Sequence, residues 1–287
     1  MIFTEQDIDF AQVEGITLKG VLYRPSVPAG TDLPVLIDIH GGAWSSLHRK
    51  AGRHYCRALA SRGLCVFAID FRQGPDFKHP AASSDIAAAV RFIRSTDALQ
   101  LKPSSVSLIG SSSGGHLALL VALNPDIQDH HQTPINTGSD FQLAPTISAR
   151  VDRVIGLWPV SNPIARYQYV LARLHEDPES WINFAPNRLA EGHRAYFGDT
   201  RTMQAASIQQ LLATESFSEL PPLLIVQPAL DQNVPIFMSQ TLLGGYEAAG
   251  GIARYREYAG VEHGFAHAEG PQTDTCINDI LAFIRST

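Results

Sequence analysis

Cysteine is scarce in this chain: Cys56, Cys65 and Cys276 are the only three among 287 residues. An odd number with no C-x-x-C spacing excludes a disulfide framework and a cysteine zinc site, so the three are expected to be buried thiols. Positive charge is also short, with 22 Lys and Arg against 28 Asp and Glu for a net charge of -6. The cations are scattered and form no stripe that could neutralise a phosphate backbone, which excludes nucleic acid as a partner. Long apolar runs are missing as well, since no uncharged segment reaches the ~18 residues of a membrane span. The first residues, MIFTEQDIDFAQ, carry neither the positive start nor the apolar stretch of a signal peptide. The expectation is a cytoplasmic protein with no membrane partner. The sequence holds no internal repeat and no low-complexity tract.

What is present is enough for a large core, with 45% hydrophobic and 17% charged residues. DIDFAQVEGITLKGVLYRP alternates like two half-exposed strands, with Glu14-Gly15 as the turn. Short and nearly continuous apolar runs follow: PVLIDIH (34–40), LCVFAID (64–70), SVSLIG (105–110), RVIGLWPV (153–160), PLLIVQPA (222–229) and the more polar ARYREYA (253–259). Runs of this kind are strands of a parallel sheet covered on both faces. Helical patterns fill 51–62, 84–95 with Ser84 as cap, 113–123, 236–249 and 272–285. The alternation predicts one doubly wound α/β domain over residues 1–287. From about 161 to 218 the interval is too long for a simple crossover and is expected to form a helical cap inserted in the domain.

Four stretches carry chemistry. Gly110-Ser111-Ser112-Ser113-Gly114 fits G-x-S-x-G only with Ser112 at its centre, in a tight strand-to-helix turn. A serine hydroxyl is a weak nucleophile and needs a base with an acid behind it. EYAGVEHGF places His263 in a glycine-flanked loop after the last strand, with His267 as its rival. LLIVQPALDQNVP places Asp231 after the preceding strand, and Glu262 is the poorer acid because neighbours in sequence point apart. HGGAW, residues 40–44, follows the strand PVLIDI. Gly41, Gly42 and Ala43, together with Ser113, would turn backbone N–H groups toward an oxyanion. His40 is expected to brace that loop. Neither His263/His267 nor His130-His131 has ligand spacing on a helix, so no metal is expected.

Together, HGGAW, GSSSG, the D-x-x-V-P at Asp231 and the EHGF at His263 resemble the α/β-hydrolase superfamily. The likeness is greatest to its hormone-sensitive-lipase-like esterases and the related kynurenine formamidases. It runs from about residue 8 to 285, and DFRQGPDFKHPAASSDIAAAVRFI (70–93) is similar to the esterases' D-Y-R-L-A-P…F-P-A-x-x-x-D segment. Two departures stand out: Ala43 replaces a third glycine, and ALDQNVP replaces D-P-L around the acid. The resemblance implies an α/β-hydrolase fold, with a mostly parallel central sheet, helices on both faces and a cap. It further implies a serine carboxylesterase acting on small to medium carboxylic esters without a cofactor. An arylformamidase on the same machinery and a non-catalytic ligand-binding protein on the same fold are the alternatives. Trp44 and Trp158 are the residues expected to line the substrate site.

Overall fold

The computed structural model describes residues 1–28, 30–95, 99 and 101–286. Strands β1 (Phe3–Val13) and β2 (Ile16–Pro25) pair antiparallel from Val13 opposite Ile16. Their turn residues, Glu14 and Gly15, both have positive φ, 52° and 76°. That is the twist a two-residue hairpin demands. The next strands are β3 (Asp32–Ile39), β4 (Cys65–Ile69), β5 (Lys102–Ser111), β6 (Ile135–Asn136), β7 (Phe141–Gln142), β8 (Val154–Leu157), β9 (Leu223–Pro228) and β10 (Ala253–Tyr258). The sheet order is β10-β9-β8-β5-β3-β4-β2-β1-β6-β7. It is parallel from β10 to β4 and antiparallel beyond. The two-residue strands β6 and β7 have no hydrophobic period to betray them in the sequence.

Alternation along β3 divides the core. Val35, Ile37 and Ile39 point to one face with α2 (Ala81–Ser95), α3 (Ser113–Leu123) and α8 (Ile236–Ala248). Leu36 points to the other, with α1 (Arg53–Ser61) and α9 (Pro271–Arg285). Every residue of α3 is buried, which explains its apolar run from Leu117 to Leu123.

Between β8 and β9 lie α4 (Pro163–Arg173), α5 (Pro186–Phe197), α6 (Thr200–Ala205) and α7 (Ile208–Thr214). Local chemistry starts three of them. The side chains of Asn162, Asp199 and Ser207 accept from the N–H groups of Ala165, Thr202 and Gln210 respectively, and Pro163 supplies a preset φ at the start of α4. Among the described residues, no helix is long and apolar enough to cross a membrane.

Ser84 does not cap a helix. α2 begins at Ala81, and the Ser84 hydroxyl points inward to Thr133 Oγ1 at 3.0 Å. It belongs to a buried cluster around Arg72 and Asp85, 7% and 0% exposed. The Arg72 guanidinium donates to both Asp85 oxygens, its own backbone N–H reaches Asp85 Oδ2 at 2.8 Å, and Thr133 Oγ1 donates to Oδ1 at 2.7 Å. Burial still outweighs these bonds and pushes the Asp85 carboxyl up. The pair clips the loop after β4 to α2. Removing one member leaves a buried charge alone, so Asp85→Ala is expected to lower stability by about 3–5 kcal/mol in urea unfolding. Asp85→Asn, which keeps an acceptor, should lose less, and equal losses would count against the clip.

Candidate active site

The parallel half of the sheet delivers five loops to one edge. In spatial order these follow β10, β9, β8, β5 and β3, and they carry His263, Asp231, Trp158, Ser112 and Gly41–Trp44.

Ser112 occupies the turn from β5 into α3 with φ 54° and ψ -117°. A side-chain-bearing residue held there costs about 1–3 kcal/mol, so the surroundings must impose it. Its N–H donates to Leu157 O at 2.9 Å, and its carbonyl accepts from Val160 N at 3.1 Å. Close approach does the rest. A Cβ on Gly110 would lie 2.3 Å from Gly114 O, and one on Gly114 would lie 2.1 Å from Ile39 O. Both positions must therefore be glycine for β5, α3 and β3 to meet, and their meeting throws the Ser112 side chain outward.

The loop after β3 lies against this turn. A Cβ on Gly41 would come within 3.3 Å of Ser112 Cβ. Gly42, Ala43 and Trp44 have φ of 105°, 53° and 58°, a left-handed run that curls the backbone into a concavity able to gather N–H groups. Trp44 N–H is taken by Ser113 Oγ at 3.2 Å, whereas those of Gly42 and Ala43 meet no acceptor among the described residues. His40 braces the loop from below, with Nδ1–H donating to Gly41 O at 2.8 Å and the ring stacked on Phe71 at 4.3 Å. Burial pulls its imidazole down to about 4, so it stays neutral.

Asp231 and His263 meet. Asp231 Oδ2 lies 2.8 Å from His263 Nδ1, while Oδ1 accepts the N–H groups of Asn233 and Val234 at 2.8 and 2.9 Å. A carboxylate engaged this way fixes the tautomer in which His263 Nδ1 carries the proton and Nε2 is open. His267, the rival, is not part of the pair. Its ring packs on Tyr55 and Trp158, and burial pulls it down to about 4.

The two tryptophans expected to line the substrate site are each 0% exposed and serve as packing. Trp44 is enclosed by His116, His193, Tyr196 and Phe197. Trp158 supports His263 at 5.8 Å and Phe265 at 5.3 Å from below. A ring this large is most stable where all its area is buried.

His116 escaped the sequence reading although it interrupts the apolar run of α3. Its Nδ1 accepts from Trp44 Nε1 at 3.2 Å and its Nε2–H donates to Ala206 O at 2.8 Å, tying the loop after β3 to the end of α6. A lone imidazole inside an all-buried helix was the signal. Among the described residues, no three His, Cys, Asp or Glu side chains cluster as metal ligands.

With this geometry in place, comparison with known proteins gives three findings. The BD-FAE family model matches residues 22–244. The chain is 23% identical over 275 residues to a probable isoprenylcysteine alpha-carbonyl methylesterase, ICME, of Oryza sativa subsp. japonica, covering 92% of this chain and 60% of that one. It is 24% identical over 286 residues to the esterase LipQ of Mycobacterium tuberculosis, covering 97% and 62%. The chain thus spans about three fifths of the length of these curated relatives. Among solved structures, an esterase from Pyrobaculum calidifontis superposes with a TM-score of 0.74 at 21% identity, over 99% of this chain and 85% of that one. Esterase 2 of Thermogutta terrifontis with propionate bound gives 0.71 at 22%, over 98% and 93%. Likeness at this level of identity establishes a shared fold.

One layer below the loop after β3 lies a carboxyl that the chemistry of the edge does not use. Asp38 is 0% exposed, with Tyr55 Oη donating to Oδ1 at 2.6 Å and Cys56 Sγ 3.4 Å from Oδ2. Burial outweighs these two bonds and pushes its carboxyl up to about 6. An acid whose folded value is raised contributes stability that is complete below its unfolded value and lost as pH rises through the folded one. Asp38 should therefore erode stability between roughly pH 4 and 6, by about 3 kcal/mol. Asp38→Asn removes the titration, and its urea unfolding free energy is expected to fall less than that of the parent between pH 4.5 and 7.5. Parallel profiles would rule out Asp38 as the source.

Proposed function

The chain belongs to the BD-FAE family and has the α/β-hydrolase fold, and from that premise we propose that it is a serine hydrolase cleaving small to medium carboxylic esters. The observation that carries the reading is the Asp231–His263 pair at 2.8 Å, standing on the same sheet edge as a serine held at φ 54°. In this reading the Ser112 hydroxyl attacks the ester carbonyl while His263 Nε2 takes its proton. Asp231 stabilises the imidazolium that results. Negative charge gathers on the carbonyl oxygen and is met by backbone N–H groups of the Gly41–Ala43 loop and of Ser113, the first residue of α3, whose N–H has no partner within its helix. Collapse expels the alcohol with the proton from His263. Water then attacks the acyl-enzyme, with His263 as base once more, and frees the acid. The residues described complete this cycle without a cofactor.

A Cβ on Gly192 of α5 would lie 2.7 Å from Ala43 O, so this helix rests directly on the loop after β3, where we read it as part of a roof over the site.

Ser112→Ala is expected to cut turnover of p-nitrophenyl acetate by roughly 10⁶, as in other triads that lose their serine, and to abolish labelling by an organophosphonate. His263→Ala should do the same to turnover, and His267→Ala should be tolerated. Labelling that survives Ser112→Ala, or a maximum in kcat/KM at palmitate across an acetate-to-palmitate series, would overturn the assignment of nucleophile or of size. A folded protein that binds esters without turning them over would place it among non-catalytic binders.

A further inference from the structure

Between α4 and α5 the chain runs through a short segment, residues 180–183, that bonds to both loops of the Asp231–His263 pair. Aromatic packing roots this segment in the cap. The buried Phe184 lies 6.0 Å from Trp181 and 6.1 Å from Tyr169 of α4, and the Arg173 guanidinium stands 4.9 Å over its ring. Two bonds then reach the acid loop through Gln232, the residue after Asp231. Its side chain accepts the N–H of Ile182 at 3.1 Å and donates to Ser180 O at 3.3 Å. Asn233 adds a third, its Nδ2 donating to Asn183 O at 2.6 Å. Helix α4 also holds this loop, with Tyr169 Oη donating to Gln232 O at 3.0 Å and Arg166 Nε to Asn233 O at 2.8 Å.

Asn183 carries the line on to the base loop. Its Nδ2 donates to His263 O at 3.0 Å, and among the described residues no other side chain bonds the His263 backbone. One residue thus spans the two loops, with its carbonyl on Asn233 and its amide on His263. Nearer the strands the loops are joined once more, by Leu230 N–H donating to Val261 O at 3.0 Å. Asn183 has φ 48°, a left-handed conformation that asparagine adopts more readily than most side chains. Its bond to His263 is exposed, so folding exchanges it for a bond to water and gains little stability. Catalytic geometry is far more sensitive than stability. His263 must present Nδ1 to Asp231 and Nε2 to the serine at once, and a misplacement of about 1 Å can cost roughly 100-fold in rate.

We infer that Asn183 is a positioning residue, through which the cap sets the base loop against the acid loop. This rests on the serine-hydrolase reading and extends it, because the cap then takes part in placing the base. The contact between His263 Nδ1 and Asp231 Oδ2 at 2.8 Å is bracketed by the Asn183 link and by the Leu230–Val261 link across the same two loops. A merely structural Asn183, fastening the cap to the domain, would alter unfolding and leave turnover by the folded enzyme unchanged.

Two substitutions separate these roles. Asn183→Gly keeps the left-handed backbone and the carbonyl that Asn233 uses, and removes only the amide. Asn183→Asp keeps the shape and sets a carboxylate against His263 O. With p-nitrophenyl acetate, both are expected to lower kcat by roughly 10- to 100-fold, while KM stays within about twofold of the wild type. Organophosphonate labelling of Ser112 should slow in parallel, and urea unfolding should change little. Gln232→Ala frees the same segment from the acid loop and should also lower kcat. Its loss and that of Asn183→Gly should not multiply in the double variant, since both loosen one clamp. Wild-type kcat in Asn183→Gly and Asn183→Asp overturns the inference, and so does a loss that the unfolded fraction accounts for, or losses that multiply. If the wild type turns over no ester and Ser112 takes no organophosphonate, the hydrolase reading has failed and this role falls with it. An active wild type that is indifferent to both Asn183 substitutions keeps that reading and rejects only the positioning role.

Discussion

The structure turns on the contact in which β5, α3 and β3 come together around Ser112. Two glycines allow the approach, since a methyl group on Gly114 would collide with the Ile39 carbonyl and one on Gly110 with Gly114 itself. Because the backbones are that close, Ser112 has no relaxed conformation open to it. Its backbone bonds to Leu157 and Val160 tie the strained turn to the end of β8. The same approach sets the loop after β3 against the Ser112 side chain, so the proposed nucleophile and the proposed N–H donors share one packing event. The strain is met by the burial of α3, which is enclosed along its whole length.

A second feature follows from that packing: the edge of the sheet is crowded with imidazoles that burial keeps neutral. His40 and His267 are drawn down to about 4, and His116 to about 3. Each serves as a hydrogen-bonding or stacking brace, to Gly41, to Tyr55, and to Trp44 and Ala206. His263 differs in having a carboxylate at its back. An imidazole paired with an ionised acid can accept and return a proton, whereas one packed among rings pays desolvation for every charge it takes.

The order of strand and helix was legible because the central strands β4, β8 and β9, and the C-terminal parts of β3 and β5, are buried on both faces and read as short apolar runs; Ser112 and Asp231 stand just beyond such runs, and His263 just beyond the more polar β10. What escaped did so for physical reasons. Trp44 and Trp158 were read as pocket wall because a sequence states the size of a side chain and not the direction it takes. Ser84 looked like a cap, yet its hydroxyl serves Thr133 from inside the helix. Arg166 left a trace that went unused: Pro163, Arg166 and Val170 are spaced three and four apart and are the buried residues of α4. An arginine on the apolar stripe of an amphipathic helix is a charge that the fold has chosen to bury.

That choice ties the buried cation to the acid loop. The backbone that binds Asp231 Oδ1, the N–H of Asn233 and Val234, belongs to the same turn whose Asn233 carbonyl holds Arg166. α4 is itself anchored by the Asn162 side chain, two residues after the Ser112-bound Val160, so the strained serine, the acid and the buried cation are linked through hydrogen bonds and a few residues of backbone.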